Sequence, residues 1–247
     1  MRKLIVAIFA VMLSVNAWSD DKTVYLTSLD WPPYSGKDLP GKGPSIEVAK
    51  AAFAAMGYTL VVDFYPWSRA VSLATDKGSK YSGYFPEYYS DEVAQTFTYS
   101  DVMGNGPLGF AQRKDKPIKW TTLDDLKDVS VGVVQDYVNT AEFDARTADG
   151  RITAQTVTSD STNLVKLARG RIDLAVVDTN VLDYILRTDS KLADYKDNLE
   201  FNATMLEDKK LFVCFKKDEK NAALTKIFNE GLKKIDISAI MKKGLGK

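Results

Sequence analysis

The segment Gly170-Arg171-Ile172-Asp173-Leu174-Ala175-Val176-Val177-Asp178 decides the fold. Gly170 ends a predicted helix over 161–169, and the apolar run 172–177 that follows is typical of a strand buried on both faces. Such strands occur in α/β domains, whose ligands bind beyond the carboxyl ends of the strands. The segment therefore predicts an α/β fold with a carboxylate, Asp178, facing a cleft, unless Asp178 only caps the next helix.

The same alternation of strands and helices extends to both sides of this segment. Further strands are predicted at 23–28, 60–64, 83–85, 108–112, 129–134, 153–157 and 211–215. Further helices are predicted from an N-cap at Ser45, over 68–74, from about Val138, through 181–185, and along the apolar stripe 224–235.

A charged stretch, 113–117, interrupts this rhythm and ends in Pro117. We interpret it as a crossing between two lobes, because the strand and helix pattern restarts after it. The first lobe is then discontinuous, comprising 20–111 and 205–247, and the second lobe comprises 112–204. Each lobe is expected to be a mixed sheet flanked by helices.

The beginning of the chain resembles a secretory signal peptide over 1–19. Arg2 and Lys3 precede an apolar stretch, 4–15, and Ala17 and Ser19 are small residues of the kind that a signal peptidase reads. A membrane anchor would need about 20 apolar residues. We therefore expect cleavage before Asp20 and a periplasmic location, without a lipid anchor because no Cys stands at the cleavage point.

The composition argues against several classes of function. The chain has 33 basic and 33 acidic residues, so it lacks the basic excess of nucleic-acid-binding proteins. It has no His and one Cys, Cys214, which lies in an apolar strand and is expected to be a core residue. No metal spacing or phosphate-binding loop is present, so we expect no cofactor and no enzyme. Acid–base chemistry by Asp178 with Glu87 or Glu92 stays as an alternative.

Several motifs, in order and spacing, resemble the extracellular solute-binding proteins of family 3, which mostly serve polar amino-acid importers. The resemblance spans about residues 23–240. It rests on Pro33-Tyr34 after the first strand, Ser100-Asp101, Leu123-Asp124-Asp125-Leu126-Lys127 with Val131-Gly132-Val133, and the segment 170–178 with its following Val181 and Tyr184.

This resemblance implies a two-lobed type II periplasmic-binding-protein fold that closes on a ligand. The family's aromatic contact falls on Tyr34, and its amino-group carboxylate falls on Asp178. The turn that meets the ligand carboxylate falls on 135–139, which includes Gln135, Tyr137 and Asn139. A helix N-terminus favours anions, which independently supports the last role.

The sequence also departs from the family. The position of the carboxylate-binding Arg holds Val93, and Val cannot replace a bidentate guanidinium. An ordinary α-amino acid is therefore not the expected ligand. The segment Pro66-Trp67-Ser68-Arg69-Ala70 resembles a divergent branch, in which Trp67 would stack on the ligand and Arg69 would supply the missing charge, unless it is only solvent-exposed. Phe85 and Tyr88 fall on ligand-contacting positions.

We therefore predict a monomeric periplasmic receptor that captures a small polar or aromatic-containing molecule and presents it to the membrane permease of an ABC importer. The predicted ligand contacts are Tyr34, Trp67, Arg69, Phe85, Tyr88, Gln135, Tyr137, Asn139 and Asp178. The alternatives are a receptor that signals through a sensor protein and an enzyme on the same fold.

Overall fold

The computed structural model describes residues 22–247, so the predicted signal peptide and its cleavage site lie outside the described residues. The described chain contains strands that all belong to one mixed sheet. They are β1 (Thr23–Ser28), β2 (Thr59–Phe64), β3 (Gly83–Tyr88), β4 (Phe97–Tyr99), β5 (Gly104–Arg113), β6 (Ser130–Val134), β7 (Thr153–Val157), β8 (Leu174–Asp178), β9 (Leu199–Phe201) and β10 (Glu207–Lys216).

Helices cover this sheet. They are α1 (Pro44–Ala55), α2 (Trp67–Thr75), α3 (Asp91–Thr96), α4 (Ala141–Ala148), α5 (Asp160–Ala168), α6 (Thr179–Thr188), α7 (Glu219–Leu232) and α8 (Ile237–Leu245). No helix within residues 22–247 is long and apolar enough to cross a membrane.

The sheet has two parallel halves that are joined by antiparallel strands. The strand order is β2-β1-β3-β10-β5-β8-β6-β7. The first half contains β2, β1 and β3, and the second half contains β8, β6 and β7. The long strand β5 pairs with β10 up to Leu108 and with β8 from Leu108 onward, so the chain passes between the halves within β5. The segment 113–117 forms the end of β5 and the turn after it.

The core explains why these elements form. All five residues of β8 are buried, as the apolar run in the sequence predicted. Phe53 of α1 packs on Phe228 of α7 with ring centroids 5.0 Å apart, and both rings contact Phe215 of β10. Burying one such side chain contributes about 1.5–3 kcal/mol. The C-terminal helices are thereby fixed on the first half of the sheet.

Three helix boundaries differ from the sequence prediction. Helix α1 begins at Pro44, one residue before the predicted cap, because proline is preorganised for the first helical position. Ser45 is thus inside the helix, and its hydroxyl has no partner. Helix α4 begins at Ala141 with Thr140 as its N-cap, rather than near Val138. The single C-terminal helix predicted from the apolar stripe is two helices, α7 and α8.

Candidate ligand-binding cleft

A small cavity of about 30 Å³ lies where the two halves of the molecule meet. We call it the inner cavity. Aromatic side chains from four places in the chain line it, together with one carboxylate. These residues are Trp31 after β1, Trp67 at the start of α2, Glu87 and Tyr88 at the end of β3, and Tyr137 after β6. Leu29, Pro86, Val138 and Leu211 complete its wall. The lining residues follow strands, as expected for an α/β fold.

A groove of about 620 Å³ adjoins the inner cavity on the outside. We call it the outer groove. It shares Leu29, Trp31, Trp67 and Tyr137 with the inner cavity, so the two spaces adjoin along these side chains. The start of α5, including Asp160, forms part of its wall. A small cavity beside a larger groove suits a ligand with a compact head and a larger body.

The rings around the inner cavity hold each other in place. Trp31 stacks on Tyr34 with ring centroids 4.5 Å apart and an interplanar angle of 20°. Trp31 also meets Tyr88 edge to face at 5.9 Å, and Trp67 meets Tyr137 edge to face at 6.1 Å. Such contacts are geometries that aromatic quadrupoles prefer, so the cavity walls are preorganised.

The proline-rich loop after β1 decides which aromatic faces the cavity. The Trp31 and Ser35 backbones exchange two hydrogen bonds, of 2.8 and 3.1 Å, so the loop 31–35 folds back on itself. Two prolines inside this loop restrict its backbone. The Trp31 ring thereby borders the inner cavity, whereas Tyr34 is fully buried beneath it.

Asp178 forms the centre of a buried hydrogen-bond network beneath the cavity. Its Oδ1 accepts hydrogen bonds from the backbone N–H groups of Asn180 and Val181 at 2.7 and 3.3 Å and so caps α6. Its Oδ2 accepts from the hydroxyls of Tyr34 and Tyr88 at 3.0 and 3.3 Å. The Tyr34 hydroxyl in turn accepts from Asn180 Nδ2 at 2.6 Å. Asp178 therefore caps α6, one of the two roles that the sequence left open for it, and it also joins side chains of the first half; its contact with a ligand ammonium stays a prediction.

Three buried carboxyl groups surround the cavity, and burial dominates their acidity. Burial raises the pKa of Asp178 to about 7, although its hydrogen bonds oppose the shift. Burial and the nearby Asp178 raise the pKa of Asp160 to about 7. Burial raises the pKa of Glu87 to about 8, against the backbone N–H of Tyr88, the Tyr84 hydroxyl and the charge of Lys209. Burial therefore disfavours the ionised forms of these groups.

A polar contact at the mouth of the cleft joins the two halves. The indole Nε1 of Trp67 donates a 2.9 Å hydrogen bond to the carbonyl of Asp136. The Ser68 hydroxyl donates to the carboxylate of the same Asp136, whose backbone adopts a left-handed conformation at φ 61°. We call these contacts the latch. A left-handed non-glycine residue is uncommon and persists where its surroundings hold it.

The structure brings only some of the predicted site residues together. Trp67, Tyr88 and Tyr137 line the inner cavity, and Tyr34 and Asp178 lie directly beneath it. Phe85 is fully buried in the hydrophobic core. Gln135 and Arg69 are exposed, and the Arg69 guanidinium lies 5.9 Å from the Tyr65 ring centroid. The ligand-binding roles of all the predicted residues stay predictions.

The helix start after β6 is occupied by the chain's own side chains. The backbone N–H and the side-chain amide of Asn139 both donate to Asp144, at 2.9 and 2.8 Å. Thr140 Oγ1 accepts from the Phe143 N–H at 3.3 Å. The donors of Asn139 and the N–H of Phe143 are therefore already satisfied within the chain, and a carboxylate, Asp144, lies among them.

Two cleft residues were not selected from the sequence. Trp31 was assigned to an irregular loop, and which of Trp31 and Tyr34 faces the cavity depends on the path of the loop. Asp160 follows β7 and begins α5, so the rule that selected Asp178 at the end of β8 could have found it. Glu87 was considered only for catalysis. Within residues 22–247 no group of acidic or Cys side chains is arranged to hold a metal ion.

Solved structures resemble this chain over almost its whole described length. A histidine kinase sensor domain with similarity to periplasmic binding proteins matches with a TM-score of 0.77 and 24% identity, covering 91% of this chain and 96% of that one. The substrate-binding protein of an amino-acid ABC transporter gives 0.71 and 16%, covering 91% and 100%. A structure from work on glutathione import via GshT and the cystine ABC importer TcyBC of Streptococcus mutans gives 0.71 and 25%, covering 92% and 95%.

No family model and no curated protein matches the sequence. The structural likenesses confirm the predicted fold class: a mixed α/β fold of the periplasmic-binding-protein type, flanked by helices. They also confirm, at the level of the fold, the resemblance to substrate-binding proteins that the sequence motifs indicated.

Proposed function

We propose that this chain, which has the fold of substrate-binding proteins, captures a small molecule in the cleft and presents it to the permease of an ABC importer. The observation that carries the proposal is an aromatic-lined cavity between the two halves of a fold shared with such proteins. In this proposal the halves correspond to lobes 20–111 with 205–247 and 112–204, and the protein is exported to the periplasm as a monomer without catalysing a reaction.

Closure explains how binding would be signalled to a partner. The latch and the Asp178 network both join residues of the first half to residues of the second. A ligand that contacts both halves shifts the equilibrium toward the closed form, in proportion to its preference for that form. A permease needs to recognise only the closed shape.

The test combines ligand discovery with a measurement of shape. Native mass spectrometry of freshly purified protein and a thermal-shift screen of small polar molecules should identify ligands that raise the Tm. Small-angle scattering should then show a smaller radius of gyration with ligand. A ligand recovered unchanged after incubation supports binding without chemistry, whereas product formation would support an enzyme.

A signalling receptor is the second candidate, because one of the matching structures is a histidine kinase sensor domain, with a TM-score of 0.77. Deleting the gene separates the two candidates. Loss of ligand uptake supports the importer. Unchanged uptake with loss of a ligand-induced transcriptional response supports the sensor.

A further inference from the structure

We propose that the cleft takes an organic cation that lacks a carboxylate, with its ammonium group in the inner cavity and its body in the outer groove. This inference rests on the proposed function and names the chemical class of its ligand. Three observations support it. They are the mainly acidic groups around the cleft, the aromatic rings that line it, and the contacts already made at the places where an anion could bind.

The charged groups of the cleft are mainly acidic. Glu87 lines the inner cavity, and none of the described residues that line it is Lys or Arg. Asp160 is 7% exposed and lines the outer groove. The only basic residue among those described along that groove is Lys37, whose exposed ammonium lies 4.0 Å from Asp30 at the rim.

One buried cation, Lys209, lies behind the cavity wall. Its Nζ is 5.7 Å from the Tyr88 ring centroid, donates to the Tyr89 carbonyl at 3.4 Å, and lies 3.7 Å from Glu207. Its charge partly compensates Glu87. Asp160 and Asp178 have no such partner among the described basic residues, since their hydrogen bonds come from neutral groups. A bound cation would supply the missing countercharge.

The aromatic rings of the inner cavity also favour an organic cation. Trp31, Trp67, Tyr88 and Tyr137 surround the inner cavity from different directions, and aromatic rings grouped in this way bind ammonium ions through their faces. A cavity of about 30 Å³ holds a group the size of about two water molecules. An ammonium or methylammonium group therefore fits, while a larger body has to extend past the shared wall into the outer groove.

The places that could hold a carboxylate are closed to it. Val93 packs on the apolar cluster around Tyr84 and Cys214, and Arg69 lines neither the inner cavity nor the outer groove, its guanidinium lying 5.9 Å from the Tyr65 ring centroid. The start of α4 is satisfied by Thr140 and Asp144. A carboxylate in the outer groove would instead approach Asp160, and like charges in a buried site repel strongly.

The experiment compares matched probes by isothermal titration calorimetry on the purified protein. n-Butylammonium and N-methyl-n-butylammonium carry the proposed ammonium and methylammonium heads, n-butanol is their neutral counterpart, and 4-aminobutanoate and 4-(methylamino)butanoate add a carboxylate. We expect at least one cation to bind, with its neutral or carboxylate-bearing counterpart weaker by at least about tenfold.

Variants connect this selectivity to the named residues. Asp160→Asn and Trp67→Leu should each weaken binding of the cation by about tenfold, since one removes a charge and the other a ring. Glu92→Gln, an exposed change on α3, serves as the control and should bind like the parent. Circular dichroism and the Tm verify that each variant is folded.

The possible results separate a failure of the cation inference from a failure of the proposed function. If L-arginine, L-glutamine or a neutral compound binds with closure while both cations fail, the cation inference is wrong and a solute-binding protein remains. Binding of a cation that Asp160→Asn leaves unchanged also overturns it. If no small molecule of a broad screen binds, both proposals fail.

Discussion

At the residue scale, Asp178 shows how one side chain serves two purposes. One carboxylate oxygen completes the first turn of α6, and the other receives the hydroxyls of Tyr34 and Tyr88. Burial and the charge of Asp178 raise the pKa of Tyr34, so this hydroxyl stays protonated and donates. The sequence selected Asp178 because it follows a buried strand, and the family resemblance selected Tyr34, but the hydrogen bond between them was not predicted.

A double-mutant cycle should detect the coupling within this network. Asp178→Asn preserves a helix cap but replaces one acceptor, and we expect a loss of about 1–3 kcal/mol in the free energy of unfolding. Tyr34→Phe removes the donor. Combined, the two changes should cost less than their sum by at least about 0.5 kcal/mol. Urea unfolding measures all three variants, and strictly additive losses would contradict the network.

Gly106 is required by close approach to the same network. A Cβ atom at this position would lie 2.4 Å from Asp178 Oδ2 and 2.6 Å from the Tyr88 hydroxyl. Gly106→Ala should therefore displace both side chains and lower the stability by about 1–3 kcal/mol. Gly78→Ala is the matched control, because its nearest neighbour lies at 3.4 Å in an exposed turn. A thermal melt in which the two variants behave alike would argue against this role for Gly106.

Other residues show where sequence reasoning fails. Ser45 is a common capping residue, yet the helix starts one residue earlier because Pro44 fits the first turn. The amide of Asn139 bonds to Asp144 only five residues away, a contact that the sequence did not predict, while the ligand contact predicted for Asn139 stays a prediction. Both outcomes depend on competition between neighbouring side chains, which residue types and spacing alone do not resolve.

At the element scale, α2 and the loop after β6 form the contact that holds the mouth of the cleft. The contact exists because the start of α2 and the loop after β6 meet across the molecule. Exposed hydrogen bonds of this kind contribute modestly, in the range of about 0.5–1.5 kcal/mol. Hydrogen bonds of this strength can break and form again, as the closure in the proposed function requires.

Weakening the latch should shift the molecule toward an open form. Ser68→Ala removes the hydroxyl that donates to Asp136, and we expect a ligand affinity lower by about two- to tenfold and a larger radius of gyration without ligand. Ser72→Ala, on an exposed position of the same helix, provides the comparison. Equal scattering profiles and affinities for the two variants would show that the latch does not control closure.

The place where the chain passes between the two halves is defined by strand pairing, which a residue pattern does not show. The charged stretch 113–117 was interpreted as the crossing, because it interrupts the strand and helix rhythm. The chain changes pairing partners earlier, at Leu108, within one continuous strand. A strand shared by two halves carries no break in its hydrophobic pattern. The sequence alone therefore does not show that the pairing partner of β5 changes at Leu108, and the lobe bounds stay a prediction.

At the scale of the whole molecule, the fold was predictable because many weak signals agree. Strand and helix alternation, the buried run 172–177 and the order of motifs all indicated the same α/β architecture, and the structural comparisons confirm it. The cleft was less predictable. Its walls come from loops that are distant in the sequence, and the direction of each ring depends on the packing of the others.

The buried carboxyl groups predict an unusual dependence of stability on pH. The folded protein holds protons on Asp160 and Asp178 up to about pH 7 and on Glu87 up to about pH 8, whereas unfolded carboxyl groups lose them near pH 4. The ligand-free protein should therefore lose stability as pH rises from 5 to 8, by at least about 1 kcal/mol per group.

Differential scanning fluorimetry from pH 5 to 8.5 measures this dependence. A loss of about 1 kcal/mol corresponds to about 2–4 °C in Tm for a chain of this size. Asp160→Asn should make the decrease in Tm between pH 5 and 8.5 smaller, since an amide does not titrate and only Asp178 and Glu87 remain. A Tm that increases steadily across the range would contradict the proposed protonation states.

The placement of Trp31 and Trp67 has a practical consequence. Of the three tryptophans within residues 22–247, these two border the cleft, whereas Trp120 packs on Phe110 of β5. Indole emission depends on the polarity and mobility of its surroundings. The protein thus carries a built-in optical reporter of occupancy, with a third fluorophore elsewhere as an internal reference, and titrations can be followed without any added dye.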